Sequence, residues 1–142
     1  MKYLRTSIAF QELPTEMALA IEITGCPRRC EGCHSPELQQ DVGEDLSVSE
    51  LKRIIDRYSH AGERLFSCIL FMGGEQHYQF LPMLRTCREL GIDCGLYTGA
   101  DNVSDEVKQH LKWLKTGSYN KELGGLGSPN TNQKLIKLTV GV

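Results

Sequence analysis

Apolar residues along the chain follow two spacings in alternation. In Ala18-Leu19-Ala20-Ile21-Glu22-Ile23-Thr24 they recur at every second position, so Leu19, Ile21 and Ile23 share one face of a predicted strand. Ahead of it, Thr6 to Leu13 reads as an edge strand stopped at Pro14. Ser47-Val48-Ser49-Glu50 has the capping-box pattern and opens a helix on which Leu51, Ile54, Ile55 and Tyr58 fall on one face, with Gly62 to end it. Phe66 to Met72, containing Cys68, Ile69, Leu70 and Phe71, is a nearly unbroken apolar run of the kind that suits a strand covered on both faces. Phe80, Met83, Leu84, Cys87 and Leu90 mark a second helical face, closed by Gly91, and Ile92 to Tyr97 is a further short strand. Ser104-Asp105-Glu106 starts a helix through Val107 and Leu111. Trp113-Leu114 enters another strand, and Leu135 to Val140 forms the last.

Regular strand–helix alternation implies parallel strands joined by helical crossovers. The 142 residues amount to one domain, residues 1–142, with neither a repeat nor a linker evident. They are too few for an eight-fold barrel, which takes about 250. The expected fold class is therefore α/β, an open partial (β/α) barrel with a mostly parallel sheet. In such folds ligands bind where strands end at their carboxyl termini. Three loops leave the predicted strands there: the segment after Thr24, Phe71-Met72-Gly73-Gly74-Glu75, and Leu96-Tyr97-Thr98-Gly99.

Charge narrows the partners. The net charge is −2 and no stretch is strongly basic, so binding to nucleic acid or to a membrane surface has no electrostatic basis. No apolar run approaches the roughly 18 residues of a membrane span, and Met1-Lys2-Tyr3-Leu4-Arg5-Thr6 begins no apolar signal core. The expected location is cytoplasmic. In that reducing setting six cysteines point to metal binding before disulfides. Cys68, Cys87 and Cys94 are scattered singly through apolar segments and read as small buried hydrophobes.

The other three cysteines are clustered. Cys26-Pro27-Arg28-Arg29-Cys30-Glu31-Gly32-Cys33 has the spacing C-x-x-x-C-x-x-C directly after the first core strand. Three thiolates on one loop can converge on one metal centre. A [4Fe–4S] cluster is usually held by four cysteines, so three leave one iron open to a substrate or cofactor. Three other readings compete. Cys30-Glu31-Gly32-Cys33-His34 also fits haem attachment, but that chemistry follows export and leaves Cys26 unexplained. A zinc site with His34 as fourth ligand would use adjacent ligands, whereas zinc motifs space them by two or more residues. A redox pair of Cys30 and Cys33 again leaves Cys26 idle. The open cluster is the favoured reading of the motif.

Around the cysteine loop, the paired glycines Gly73 and Gly74 let backbone approach a ligand closely, and Glu75 adds a carboxylate. His34 and His77 lie beside the same region, whereas His60 and His110 fall on helical segments as solvated or packed side chains. Leu123-Gly124-Gly125-Leu126-Gly127-Ser128-Pro129 lacks the ending of a phosphate loop and reads as a flap at the rim.

With these residues in view, the chain resembles the radical S-adenosylmethionine enzymes, whose signature is the spacing of Cys26, Cys30 and Cys33. Within that superfamily it looks like the glycyl-radical activases, and among them the group that activates anaerobic ribonucleoside-triphosphate reductase. The likeness covers most of the chain. It runs through Ile23-Thr24-Gly25-Cys26-Pro27, Cys33-His34-Ser35-Pro36-Glu37, Gly73-Gly74-Glu75, Tyr97-Thr98-Gly99, Leu123-Gly124-Gly125 with Ser128, and Thr131-Asn132-Gln133. Two positions depart from the pattern. Gly32 stands where members often carry an aromatic residue against adenine, which leaves that contact to His34 or a backbone group. Gln76-His77 follows Glu75 in place of the common proline.

The resemblance implies a [4Fe–4S] cluster on Cys26, Cys30 and Cys33 whose open iron chelates S-adenosylmethionine. Gly73, Gly74 and Glu75 would receive its ammonium group, with Tyr97, Thr98 and His34 also at the cofactor. An electron from a flavodoxin-like donor would cleave the sulfonium to methionine and a 5′-deoxyadenosyl radical, which takes an α-hydrogen from a glycine of the partner. That partner would be anaerobic ribonucleoside-triphosphate reductase or another glycyl-radical enzyme, such as formate-lyase.

Overall fold

Hydrogen-bonded ladders turn the period-two segments into one sheet. The computed structural model describes residues 1–24, 42–100, 102–117 and 134–138. The elements in chain order are β1 (Lys2–Ala9), β2 (Ala18–Ile23), β3 (Glu44–Asp45), α1 (Val48–Arg57), β4 (Ser59–His60), β5 (Glu63–Arg64), β6 (Cys68–Met72), α2 (Phe80–Glu89), β7 (Asp93–Tyr97), α3 (Asp105–Lys108), β8 (Trp113–Thr116) and β9 (Lys134–Lys137). Cys26, Cys30, Cys33, His34, the Leu123–Pro129 flap and Thr131-Asn132-Gln133 lie outside the described residues.

The main sheet has the order β3-β1-β2-β6-β7-β8-β9. Its centre, β2-β6-β7-β8, is parallel throughout, and β1, β3 and β9 add antiparallel edges. The chain is thus mixed α/β around a mostly parallel central sheet, as the alternation predicts. Among the described residues no helix is long and apolar enough to cross a membrane.

Side-chain alternation sorts the sheet into two faces. Leu19, Ile21, Ile23, Ile69, Phe71, Cys94, Leu96 and Leu114 join Leu51, Ile54, Phe80, Met83, Leu84 and Val107 of the three helices in one large core. Phe71 and Phe80 meet edge to face there, with ring centroids 5.3 Å apart. The opposite face carries a smaller cluster of Leu13, Ala18, Cys68, Leu70 and Trp113. Among the described residues the helices pack on the first of these faces; the second is called the inner face.

Caps explain most element ends. The Ser47 hydroxyl accepts the Glu50 N–H at 3.1 Å, as the capping box requires, but the Glu50 carboxylate accepts from Tyr3 and Arg53. Gly91, at φ +71°, closes α2 in a Schellman motif, its N–H on the Arg88 carbonyl and that of Ile92 on the Cys87 carbonyl.

Three expectations shift. The first strand runs earlier than Thr6 to Leu13, because Lys2–Ala9 is held by ladders to β2 and β3; Leu13 instead tucks into the inner-face cluster. The first helix stops at Tyr58, well short of Gly62. Ala61 and Gly62, at φ +52° and +80°, form a two-residue turn between β4 and β5, which moves His60 from the expected helix into a strand. The third helix spans only Asp105–Lys108, leaving His110 and Leu111 beyond its end.

Candidate functional site

Parallel register brings the strand ends level. Glu22 pairs with Met72, Met72 with Tyr97, and Tyr97 with Lys115, so these four stand in one row across the inner face. The ladder runs one step further. The Gly73 N–H reaches the Tyr97 carbonyl and the Thr98 N–H reaches the Lys115 carbonyl, both at 2.9 Å. The loops after β2, β6 and β7 therefore leave side by side, and the last described residue before the cysteine motif is Thr24, anchored through its N–H to the Lys2 carbonyl at 3.0 Å.

Gly73 and Gly74 turn the chain off β6 with φ of +93° and +102°, a region that favours glycine. At Gly74 a Cβ would also lie 3.2 Å from Ile23 Cγ1 and 3.3 Å from Cγ2. Glycine at this position seats the loop directly on the end of β2, the stem of the cysteine motif.

Glu75 follows. Its Oε1 accepts the Thr98 hydroxyl at 2.5 Å, while the Thr98 Oγ accepts the Ala100 N–H at 3.0 Å. Its other oxygen, Oε2, is buried and has no hydrogen-bond partner among the described residues. Two residues on, the His77 N–H binds the Gly74 carbonyl at 3.0 Å, and His77 Nε2 is also buried and unpartnered. Buried polar atoms are normally paired, so these two give the loop at the carboxyl strand ends hydrogen-bonding capacity that a ligand could use.

Tyr97 is held differently. Its hydroxyl donates to the Glu12 carbonyl, and the Lys115 ammonium lies 4.4 Å from its ring centroid. Burial pushes the phenol's pKa up, with Glu12 adding to the effect, and burial pushes that of Lys115 down. The structure thus brings Gly73, Gly74, Glu75 and Thr98 together, while the Tyr97 hydroxyl is engaged with the β1–β2 loop. Two charged residues not singled out from sequence stand on the same inner row. Glu22 accepts from Arg5 Nε at 2.6 Å, and Lys115 packs on Tyr97. Charge within an otherwise apolar strand end was the available signal.

Cys68, Cys87 and Cys94 sit elsewhere. All three are free and buried. Cys68 opens β6 and Cys94 lies near the start of β7, at the strand ends opposite Glu75. Burial raises the Cys68 thiol pKa; a hydrogen bond with Cys87, then burial, raises that of Cys94. Both are kept as thiols, the form that does not bind metal. Among the described residues no group of three or more His, Cys, Asp or Glu side chains could hold a metal ion.

Residues 17–125 match the family described as the 4Fe–4S single cluster domain. The matched span takes in β2, the whole cysteine motif, the Glu75 loop and the strands through β8. The chain belongs to that family. It is a 4Fe–4S cluster domain of the radical S-adenosylmethionine type. No curated protein matches the chain. The six cysteines fall into two groups along the chain. Three lie in a motif continuous with β2, and three are packed in apolar surroundings as expected.

Proposed function

We propose that this 4Fe–4S single cluster domain is a radical S-adenosylmethionine activase. It would install a glycyl radical on a partner enzyme, anaerobic ribonucleoside-triphosphate reductase, with a flavodoxin-like electron donor. The observation that carries the reading is the Glu75 carboxylate. One oxygen is fixed by Thr98 and the other is buried with no partner among the described residues, on a loop packed against the end of β2. Such a group fits a cationic amine, because the bond to an ionised acceptor is about twice as strong as a neutral one.

Cys26, Cys30 and Cys33 would hold the cluster, and Glu75 the ammonium of S-adenosylmethionine. When bound, the cluster supplies the electron that splits the sulfonium into methionine and a radical able to take hydrogen from a glycine. The chain's own part is placement and exclusion of water. Gly74 lets the loop close on Ile23. The row of Glu22, Met72, Tyr97 and Lys115 lines the inner face below. The choice of reductase rests on the motif likeness through Cys33-His34-Ser35-Pro36-Glu37 and Tyr97-Thr98-Gly99.

The test is anaerobic reconstitution followed by reduction. The loaded protein should carry about four iron and four sulfide per chain. It should release methionine and 5′-deoxyadenosine, and give a glycyl-radical signal by electron paramagnetic resonance when mixed with the reductase. Stoichiometric zinc without iron–sulfur absorption would refute the reading. Cofactor cleavage with no radical on the reductase, but one on a formate-lyase-type enzyme, would reassign the partner.

A further inference from the structure

We infer that Thr98 is a positioning residue that acts on S-adenosylmethionine only through Glu75. The inference rests on the role proposed for Glu75 above and goes beyond it by dividing the work between two side chains. A threonine hydroxyl has one proton and two lone pairs. At Thr98 the proton is committed to Glu75 Oε1 at 2.5 Å, and one lone pair is taken by the Ala100 N–H at 3.0 Å. In this bond the Thr98 hydroxyl donates and the Glu75 oxygen receives. That leaves Thr98 no proton to offer a ligand.

Its surroundings suit a fixed support. Thr98 is 5% exposed, follows directly on β7, and its own N–H is tied to the Lys115 carbonyl at 2.9 Å. A β-branched side chain is stiff at its first torsion. A glutamate, in contrast, ends in a broad, roughly two-fold torsion. Left alone, the Glu75 carboxylate would exchange its two oxygens freely and meet a ligand in many orientations. Tying Oε1 to the end of a core strand selects one orientation and leaves Oε2, buried and without a partner among the described residues, as the acceptor. The arrangement lowers the ordering cost at binding, which is how preorganised supporting residues raise affinity.

The experiment is equilibrium binding of S-adenosylmethionine to anaerobically reconstituted protein, with iron content measured on every sample. Thr98→Val keeps the shape and deletes the hydroxyl; it should retain iron and bind about 5- to 10-fold more weakly, the usual effect of one lost hydrogen bond. Thr98→Ser restores the donor and should bind within about twofold of wild type. Added to Glu75→Gln, Thr98→Val should cost no more than a further twofold or so, because its target charge is already gone.

Wild-type affinity in Thr98→Val overturns the inference. So does an equal loss in the Glu75→Gln background, which would make Thr98 a direct contact. Iron-complete wild-type protein that does not bind the cofactor overturns the proposed function instead. Crystals of Thr98→Val then decide the positioning role, since a Glu75 carboxylate unmoved from its wild-type rotamer refutes it.

Discussion

Among single residues, the six cysteines divide by what surrounds them. Cys68, Cys87 and Cys94 are buried in apolar packing; burial disfavours the thiolate at Cys68, and a hydrogen bond with Cys87 together with burial does so at Cys94. Replacing any one with Ala should leave the iron content of reconstituted protein unchanged. Stability should fall by about 1 kcal/mol, as for a modest packing loss. Replacing Cys26, Cys30 or Cys33 should abolish cofactor cleavage and deplete iron. Iron analysis beside urea unfolding separates the two classes, and loss of the cluster on changing Cys68 would overturn the division. The burial of Cys68, Cys87 and Cys94 was legible from their scatter through apolar segments, because the character of the surrounding segment is a local property. The role of Thr98 was only half legible: its position in a loop at a strand end was visible, its bond to Glu75 was not.

At the scale of elements, the turn after β6 sets the site. Gly73 and Gly74 both have positive φ, but their neighbourhoods differ. A Cβ on Gly73 would have its nearest neighbour at 3.8 Å, whereas one on Gly74 would meet Ile23 at 3.2 Å. Gly73→Ala should therefore lose only the backbone term of about 1–2 kcal/mol. Gly74→Ala should lose more and weaken S-adenosylmethionine binding, because the loop must lift off β2. Chemical denaturation of both variants checks the order; equal losses would show that packing on Ile23 contributes nothing. At α1 the contribution is simpler. Ser47→Ala removes the acceptor for the Glu50 N–H and should cost about 1 kcal/mol by the same measurement, with binding unaffected.

The molecule as a whole separates the proposed site from a buried ion-pair network along the strand axis. The carboxyl ends of β2, β6 and β7 carry the Glu75 site. The opposite ends are joined by Glu16, which accepts from Ser67 Oγ at 2.7 Å, Trp113 Nε1 at 2.8 Å and Lys112 Nζ at 2.9 Å. Lys112 also lies 3.6 Å from Asp93, so β6, β7, β8 and the β1–β2 loop are tied together. Burial alone would raise the Glu16 pKa, but the bonds from Ser67, Trp113 and Lys112 bring it below the ordinary carboxylate value. A lowered folded pKa gives stability that is present above the unfolded value, about 4.3. That stability is lost as pH falls through the folded one. Glu16→Gln should cost about 1.5–3 kcal/mol at pH 7 and flatten the fall in stability below about pH 4.5. Urea midpoints of both proteins from pH 7 to pH 3 test this; parallel acid losses would remove Glu16 as the responsible group.

What the sequence determined by itself was local. Period two marked β2, a nearly unbroken apolar run marked β6, β7 was read as a further short strand, helical spacing marked α1 and α2, and the capping serine at Ser47 and the closing glycine at Gly91 marked helix ends. The cysteine spacing pointed to a 4Fe–4S cluster without any fold, and the family match agrees with a cluster domain. Tertiary structure decided what depends on residues far apart in the chain. Thr98 reaches Glu75 across 23 positions, Tyr97 reaches Glu12 across 85, and Trp113 reaches Glu16 across 97. It also decided that β1 starts at Lys2 and that Leu13 packs on the inner face, because an edge strand takes its limits from the ladder it joins. Periodicity records which face a residue presents and carries no record of what will lie opposite. Partners of buried polar groups are chosen only when strands come into register, and there Glu75 is left with one oxygen held and one free.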